Sequence, residues 1–387
     1  MLKAATIKSN EVLSRRLGRQ LGQALMQELG QAPKACWLFT APSSGIADLL
    51  QGLGESLSGS SLVGCSSDGE ISEAGLSSNS VVLGGLATDR IDFEVVTTHG
   101  LGQDSEGAGR RLAEAFSKSP NYIQIFSDGL TGNGCAILKG LTAVLGEHIP
   151  IAGGTAGDNG KFLKTLQFAG DQVYTDALCG IAFYGDFRLG TGVRSGWSPI
   201  GLAKRVTRSR GNVLYELNGE PALNVYERFL GRHAEKLPVI GVEYPLGLVE
   251  PCGEAGQEEY HLIRATMAVN REERSITFAG EVTEGALVHL TCGDVSSILE
   301  AAGQAAGLAK AALNGAAPSL AFCYSCMARK IVLGRRTEEE IKRVRSEIGT
   351  SVPIIGFYTY GEYCRISTGG PNYFHNETIT LSLLGMK

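Results

Sequence analysis

Three stretches of the chain repeat one pattern: an apolar strand, a helix, then a second apolar strand that ends in glycine. The first runs CWLFTAP, SGIADLLQGLGESL, SLVGCSSDGE. The second runs YIQIFSDG, NGCAILKGLTAVLG, IPIAGGTAGDN. The third runs SLAFCYSC, TEEEIKRVRSEIG, VPIIGFYTYGE. After a variable insert each is followed by a further strand: SVVLGGLA, ALCGIAFYG or ETITLSLLG. Repetition of a strand–helix–strand unit restricts the fold to packed α/β layers. A longer echo aligns DFEVVTTHG and its following helix with ALVHLTCG and its helix, setting His99 opposite Cys292 and Asp128 opposite Cys326. Alternating runs such as YHLIRATMAV and TITLSLL add antiparallel strands. The expected fold is thus α/β: layered mixed sheets with helices, built from repeated strand–helix–strand units in two closely packed halves, 1–225 and 226–387. The boundary follows NGEPALNVYERFL, a helix entered through Pro221.

The helices have their own punctuation. Leu17, Leu21 and Leu25 recur on one face of the first. In the last, Thr337 and Glu340 have capping-box spacing, Ile341, Val344 and Ile348 form an inner face, and Gly349 ends it. The opening MLKAATIKSNEVLSRRLGRQ reads as a polar helix with no secretory stretch.

Composition removes several functions. With 43% hydrophobic and 19% charged residues among 387, the chain has ample core-forming material. A net charge of −5 without a long basic run argues against nucleic-acid binding. No uninterrupted apolar stretch reaches the roughly 18 residues that suggest a membrane span. Nine cysteines without framework spacing fit reduced thiols in a cytoplasm. The short cluster Lys204, Arg205, Arg208 and Arg210 reads as a solvated strand face or a partner patch.

Candidate chemistry lies at strand ends. The loops GCSSDGE, residues 64–70, and GFYTYGE, residues 356–362, occupy equivalent places in their repeats, with Gly64, Cys65 and Glu70 as candidates in the first and Tyr358, Tyr360 and Glu362 in the second. Such loops are either ligand anchors or duplicated tight turns. GGTAGDNGK lacks the Ser/Thr of a phosphate loop, because Phe162 stands there. Cys323 and Cys326 form a CxxC at the end of an apolar run, read as structural, with Arg329 close by to make a thiol–cation tip. None of the six histidines forms a metal motif. His375 in PNYFHNET is the best single candidate, and Trp197 in SGWSP could close a pocket or plug the core.

The ordered series VGCSSDGEI, PIAGGTAGDN, SGWSPIG, VTRSRGNVLYELNGEPALNVYERFLG, YPLGLV, SCMARKIVLG, PIIGFYTYGE and FHNETITL resembles the FIST sensory proteins, from about residue 35 onward. The resemblance implies a cytoplasmic ligand-sensing module of signal transduction and not an enzyme. Its partner would be a separate histidine kinase or cyclic-di-GMP enzyme, with a homodimer open. Stand-alone chains of this kind include the NosP group, which binds haem b, senses nitric oxide and regulates a kinase and biofilm behaviour. If haem binds here, His375 is the expected axial ligand, with His261 and the Cys326 thiolate as rivals. An amino acid or other small polar ligand is the alternative, held by Glu70, Glu362, Arg329 and backbone N–H groups. A thiol-dependent enzyme using Cys65 or Cys326 is a third reading, which needs a base that the sequence does not place beside either.

Overall fold

A computed structural model describes residues 2–252 and 258–386. Its centre is three six-stranded sheets built to one plan. In each, two parallel strands joined by a helical crossover lie beside a long antiparallel strand, which pairs with an edge strand. The parallel pairs are Ala35–Thr40 with Ser61–Ser66, Tyr122–Ser127 with Ile151–Thr155, and Pro318–Cys326 with Ile354–Thr359. The long antiparallel strands are Val81–Thr88, Ala177–Gly185 and Ile379–Gly385. Their edge partners are Leu2–Ser9, Ile91–His99 and Arg188–Arg194.

Each sheet is completed by a hairpin from another repeat. The chain leaving Ser66 forms Glu70–Ser72 and Gly75–Ser77 on the third sheet. The chain leaving Thr155 forms Gln167–Ala169 and Gln172–Tyr174 on the first. The chain leaving Thr359 forms Glu362–Arg365 and Asn372–His375 on the second. This cyclic exchange laces the two halves together, and residue 225 falls inside the helix Ala222–Leu230.

The inner faces of all three sheets meet in one core, where Trp37, Phe39, Phe126, Phe183, Phe322 and Phe357 pack together. Ring centroids lie 4.5 Å apart for Phe39–Phe357 and 4.8 Å for Trp37–Phe322. Burial of each such side chain contributes about 2 kcal/mol, which commits all three sheets to one cooperative unit. Helices cover the outer faces in pairs. Arg15–Leu29 meets Ile46–Ser56 at glycines: a Cβ on Gly18 would sit 2.2 Å from the Leu49 carbonyl oxygen, and one on Gly52 2.0 Å from that of Arg15. Part of the chain's 52 glycines therefore serves close helix contact and not only turns.

Several expectations change. The N-terminus is the edge strand Leu2–Ser9, and the helix begins only at Arg15, capped by Ser14. The exposed edge of Val81–Thr88 supplies a ladder that an isolated polar helix could not match. The echo holds for Asp128 and Cys326, whose N–H groups bond the equivalent carbonyls of Ala177 and Thr378. It fails for His99 and Cys292. Thr98 pairs with Leu178 as Arg194 pairs with Ile379, so His99 corresponds to Ser195. Cys292 belongs instead to a fourth, eight-stranded sheet inserted in the third repeat, between the edge strand Arg188–Arg194 and the helix Val295–Ala312. The insert begins with Trp197–Arg210 and ends with Leu287–Gly293, and Trp197 pairs with Gly293 where it joins the core. The capping box is absent. Thr337 donates its hydroxyl hydrogen to the Gly334 carbonyl, and Glu340 is turned inward to Arg329. Ile341, Val344 and Ile348 are buried as expected, and Gly349 closes the helix.

Candidate functional site

The strand-end residues occupy matching places, and their chemistry is already satisfied. Glu70 lies opposite Phe357, Glu362 opposite Gly154, and Gln167 opposite Cys65, each opening an exchanged hairpin. Glu70 accepts from the hydroxyls of Ser67 at 2.5 Å and Ser80 at 2.7 Å, and from the Ser80 N–H at 3.0 Å. Glu362 accepts from Thr359 and from the hydroxyl of Thr378 at 2.7 Å. Both carboxyls are fully buried, and burial raises both, Glu362 to about 7. They tie the two ends of each loop instead of presenting an open anchor. Gly64 is needed for sheet packing, since a Cβ there would lie 1.9 Å from the Leu38 carbonyl oxygen.

The neighbouring candidates are likewise engaged. Tyr358 donates its hydroxyl to Glu340 at 2.5 Å, and Tyr360 donates to Asp158 while accepting the Gly160 N–H at 3.0 Å. Arg329 is fully buried. Its Nε donates to Glu340 at 2.7 Å, and its two terminal nitrogens donate to the carbonyls of Ser195 and Ile298. Cys65 and Cys326 are buried, and desolvation pushes both thiols well up, so neither supplies a thiolate nucleophile.

His375, the best single candidate from sequence and the expected axial ligand, has no exposed surface. Its Nε2 lies 3.0 Å from the Cys364 carbonyl oxygen and its Nδ1 3.5 Å from the Tyr260 hydroxyl. Burial depresses it to about 3, so it stays neutral. It packs as a core residue between the exchanged hairpin and the insert.

A different place gathers unsatisfied groups. Where the insert leaves the core, a cavity of about 550 Å³ lies between the strand ends around Arg194 and Trp197, the strand Glu258–Arg264 and the helix Val295–Ala312. Trp197 forms part of its wall, seated flat against Gly293: a Cβ there would come within 2.7 Å of the indole. The Trp197 Nε1 and His261 Nε2 are buried and have no hydrogen-bond partner. Burial, and then the neighbouring His289 ring at 5.3 Å, holds His261 below its usual value. Arg194 donates to the Val193 carbonyl at 2.9 Å, and among the described residues no carboxylate pairs with it. Glu259 and Glu300 line the same cavity, again with no cation partner among the described residues. Charges of both signs thus line one space, and two of its wall residues, Trp197 and His261, each carry a buried ring nitrogen without a partner.

A haem needs an apolar slot and an axial group free to meet iron. His375 and Cys326 are engaged within the core, and His261 has the free nitrogen. The charged and hydroxylic walls around His261 suit a polar guest and do not fit a porphyrin face. Among the described residues, no group of three or more His, Cys, Asp or Glu side chains is placed to hold a metal ion.

The described fold is thus a three-walled core with an inserted sheet and a polar cavity at their junction. Residues 34–220 match the FIST N domain and residues 222–365 the FIST C domain. The chain belongs to the FIST family, whose domains are sensory modules of signal transduction. It is 24% identical over 302 residues to the uncharacterized protein MJ1623 of Methanocaldococcus jannaschii, covering 72% of this chain and 57% of that protein. The chain thus spans little more than half the length of that relative. Among solved structures it is similar to cyanuric acid hydrolase from A. caulinodans, with a TM-score of 0.38 and 9% identity over 100% of both chains. PurLQS from Thermotoga maritima follows, with a TM-score of 0.24 and 10% identity over 99% of this chain and 72% of that one. Neither score supports an inference. No helix among the described residues is long and apolar enough to cross a membrane.

Of the residues singled out from sequence, the cavity brings together Trp197 and His261. It leaves out Glu70, Glu362, Arg329, Tyr358, Tyr360, Cys326 and His375. Sequence reasoning missed Arg194, Glu259 and Glu300. The signal that could have found Arg194 is the true repeat register, which puts it at the end of an edge strand where the insert begins.

Proposed function

We propose that this protein senses a small zwitterionic ligand, an amino acid or a compound like one, in the cavity at the base of the insert. The reading rests on one observation: a guanidinium and two carboxylates, none of them ion-paired among the described residues, line a single cavity with two unpartnered ring nitrogens. Arg194 matches a ligand carboxylate through paired N–H···O bonds. Glu259 and Glu300 match its amine, and Trp197 Nε1 donates to a ligand oxygen. Arg329 gives such binding a consequence, because it bonds the backbone of Ser195 on the cavity wall and of Ile298 beside it. Its other end holds Glu340, on a helix whose far side is exposed. A ligand that favours one arrangement of this linkage changes the affinity for whatever docks on that helix. A cytoplasmic histidine kinase or cyclic-di-GMP enzyme is the partner this reading requires.

Haem b with nitric oxide is the competing reading: the unpartnered Nε2 of His261 speaks for it, and the charged, hydroxylic cavity walls speak against it. Calorimetric titration with the twenty amino acids, beside an absorption spectrum after haem addition, separates the two. The first reading expects saturable heat with at least one amino acid, lost in Arg194→Gln, and no stoichiometric Soret band. A Soret band that shifts with nitric oxide and vanishes in His261→Ala would replace it.

A further inference from the structure

The charges that line the cavity at the base of the insert do not balance. Among the described residues of its wall one side chain is cationic, Arg194, and two are anionic, Glu259 and Glu300. His261 adds no positive charge, because burial holds it below its usual value. Neighbouring protein groups do not make up the difference. Arg194 donates to the Val193 carbonyl at 2.9 Å, Glu300 meets the neutral Gln304 amide at 3.4 Å, and no ion pair joins any of the three to another described residue. A ligand with one carboxylate and one amine matches Arg194 and a single glutamate. The other glutamate is then left without a counter-charge while the ligand excludes water from around it, which is unfavourable.

The two glutamates come from different walls. Glu259 shares one face of the strand Glu258–Arg264 with His261, two residues further on. Glu300 lies on the helix Val295–Ala312, where Ser297, Glu300, Gln304 and Leu308 follow one another along the cavity at helical spacing. Carboxylates on separate walls can meet cations at two ends of one ligand. Ala301, Leu308 and Ile366 add apolar surface to the same lining, which suits a methylene chain between those ends. The volume of about 550 Å³ lies within the roughly 300–1,000 Å³ of small-molecule sites and leaves room beyond an α-amino-acid head group.

We propose that the ligand is a basic amino acid, with a side chain of the length and charge of those of arginine, lysine or ornithine. Its α-carboxylate sits on Arg194, its α-amine on one of the two glutamates and its side-chain cation on the other. Bound in this way it carries one negative and two positive charges against two negative and one positive, so the filled cavity is neutral. This specificity rests on the zwitterionic reading of the cavity and narrows it to one class of ligand.

The test is calorimetric titration of the full chain with L-arginine and L-lysine beside L-citrulline and L-norleucine, near-isosteres whose side chains carry no charge. At least one basic amino acid should bind about tenfold or more tightly than its neutral counterpart, the margin expected of one charge-assisted contact. Glu259→Gln and Glu300→Gln should then differ. One erases that margin and leaves the neutral ligands binding as before, and the other weakens basic and neutral ligands alike. Equal affinity for the charged and neutral ligands, or a margin that survives in both variants, would overturn the proposal while leaving the zwitterionic reading intact. Absence of binding by all four would overturn it too; saturable heat with some other amino acid would then keep the zwitterionic reading, and none with any of the twenty would remove both. The comparison among ligands is made on the unaltered chain and needs no variant that folds.

Discussion

Removing the Glu340 carboxylate should be among the most damaging single changes in this chain. Glu340 and Arg329 are both fully buried, and three donors converge on the carboxylate: Arg329 Nε at 2.7 Å, the Ser325 hydroxyl at 2.9 Å and the Tyr358 hydroxyl at 2.5 Å. Glu340→Ala leaves a buried guanidinium without its counter-charge, which costs about 3–5 kcal/mol. Two stranded hydroxyls add about 1 kcal/mol or more, less than additively because all three share one acceptor. A total near 4–6 kcal/mol is comparable with the whole stability of many domains, roughly 5–15 kcal/mol. Urea unfolding at pH 7, followed by tryptophan fluorescence, measures it. Replacing both partners, as in Arg329→Met with Glu340→Met, should recover most of the loss, since matched apolar pairs often equal a buried ion pair. A Glu340→Ala cost under about 1 kcal/mol, or a double variant no better than the single, would refute the reasoning.

Two further predictions concern pH, and they oppose each other. Folding raises Glu362 from 4.5 to about 7, so its contribution is complete below pH 4.5 and is lost as pH rises through 7, by about 3 kcal/mol. Folding lowers His375 from 6.5 to about 3, so its contribution is complete above pH 6.5 and is lost as pH falls toward 3, by up to about 5 kcal/mol. Between pH 4.5 and 6.5 the two slopes cancel in the parent chain. Glu362→Gln should therefore expose a loss of stability on acidification, and His375→Gln a loss on alkalinisation; parallel urea midpoints across pH 4–8 would contradict both. Gly293→Ala should displace the Trp197 indole, which a Cβ would approach to 2.7 Å. Its expected result is weaker amino-acid binding in calorimetry with little change in Tm, and unchanged binding would exclude Trp197 from the cavity wall.

The three strand–helix–strand units were legible in sequence because each announces itself by apolar runs and a closing glycine. So was the matching of Glu70 with Glu362, since the same loop recurs in the same place. What hid was long-range. The exchange of hairpins such as Glu70–Ser72 onto another repeat's sheet leaves no local mark, because a three-residue strand reads as loop. The insert misled the third alignment: Leu287–Gly293 precedes a helix as Ile91–His99 does, while the true counterpart, Arg188–Arg194, lies about a hundred residues upstream. The site failed for a related reason. Polar residues at strand ends looked like anchors, yet Glu70 is taken up by Ser67 and Ser80 and Glu362 by Thr359 and Thr378, hydroxyls that flank their own loops. Arg194, Glu259 and Glu300 carry no motif and are brought to one cavity only by the insertion.

Hydrogen-exchange mass spectrometry, run with and without the amino acid that calorimetry shows to bind best, tests the central claim most directly. The account predicts slowed exchange in residues 191–198, 259–261 and 297–304, around the cavity, with little change at the strand-end loops 67–70 and 359–362. Protection centred on those two loops, with the cavity segments unaffected, would contradict it.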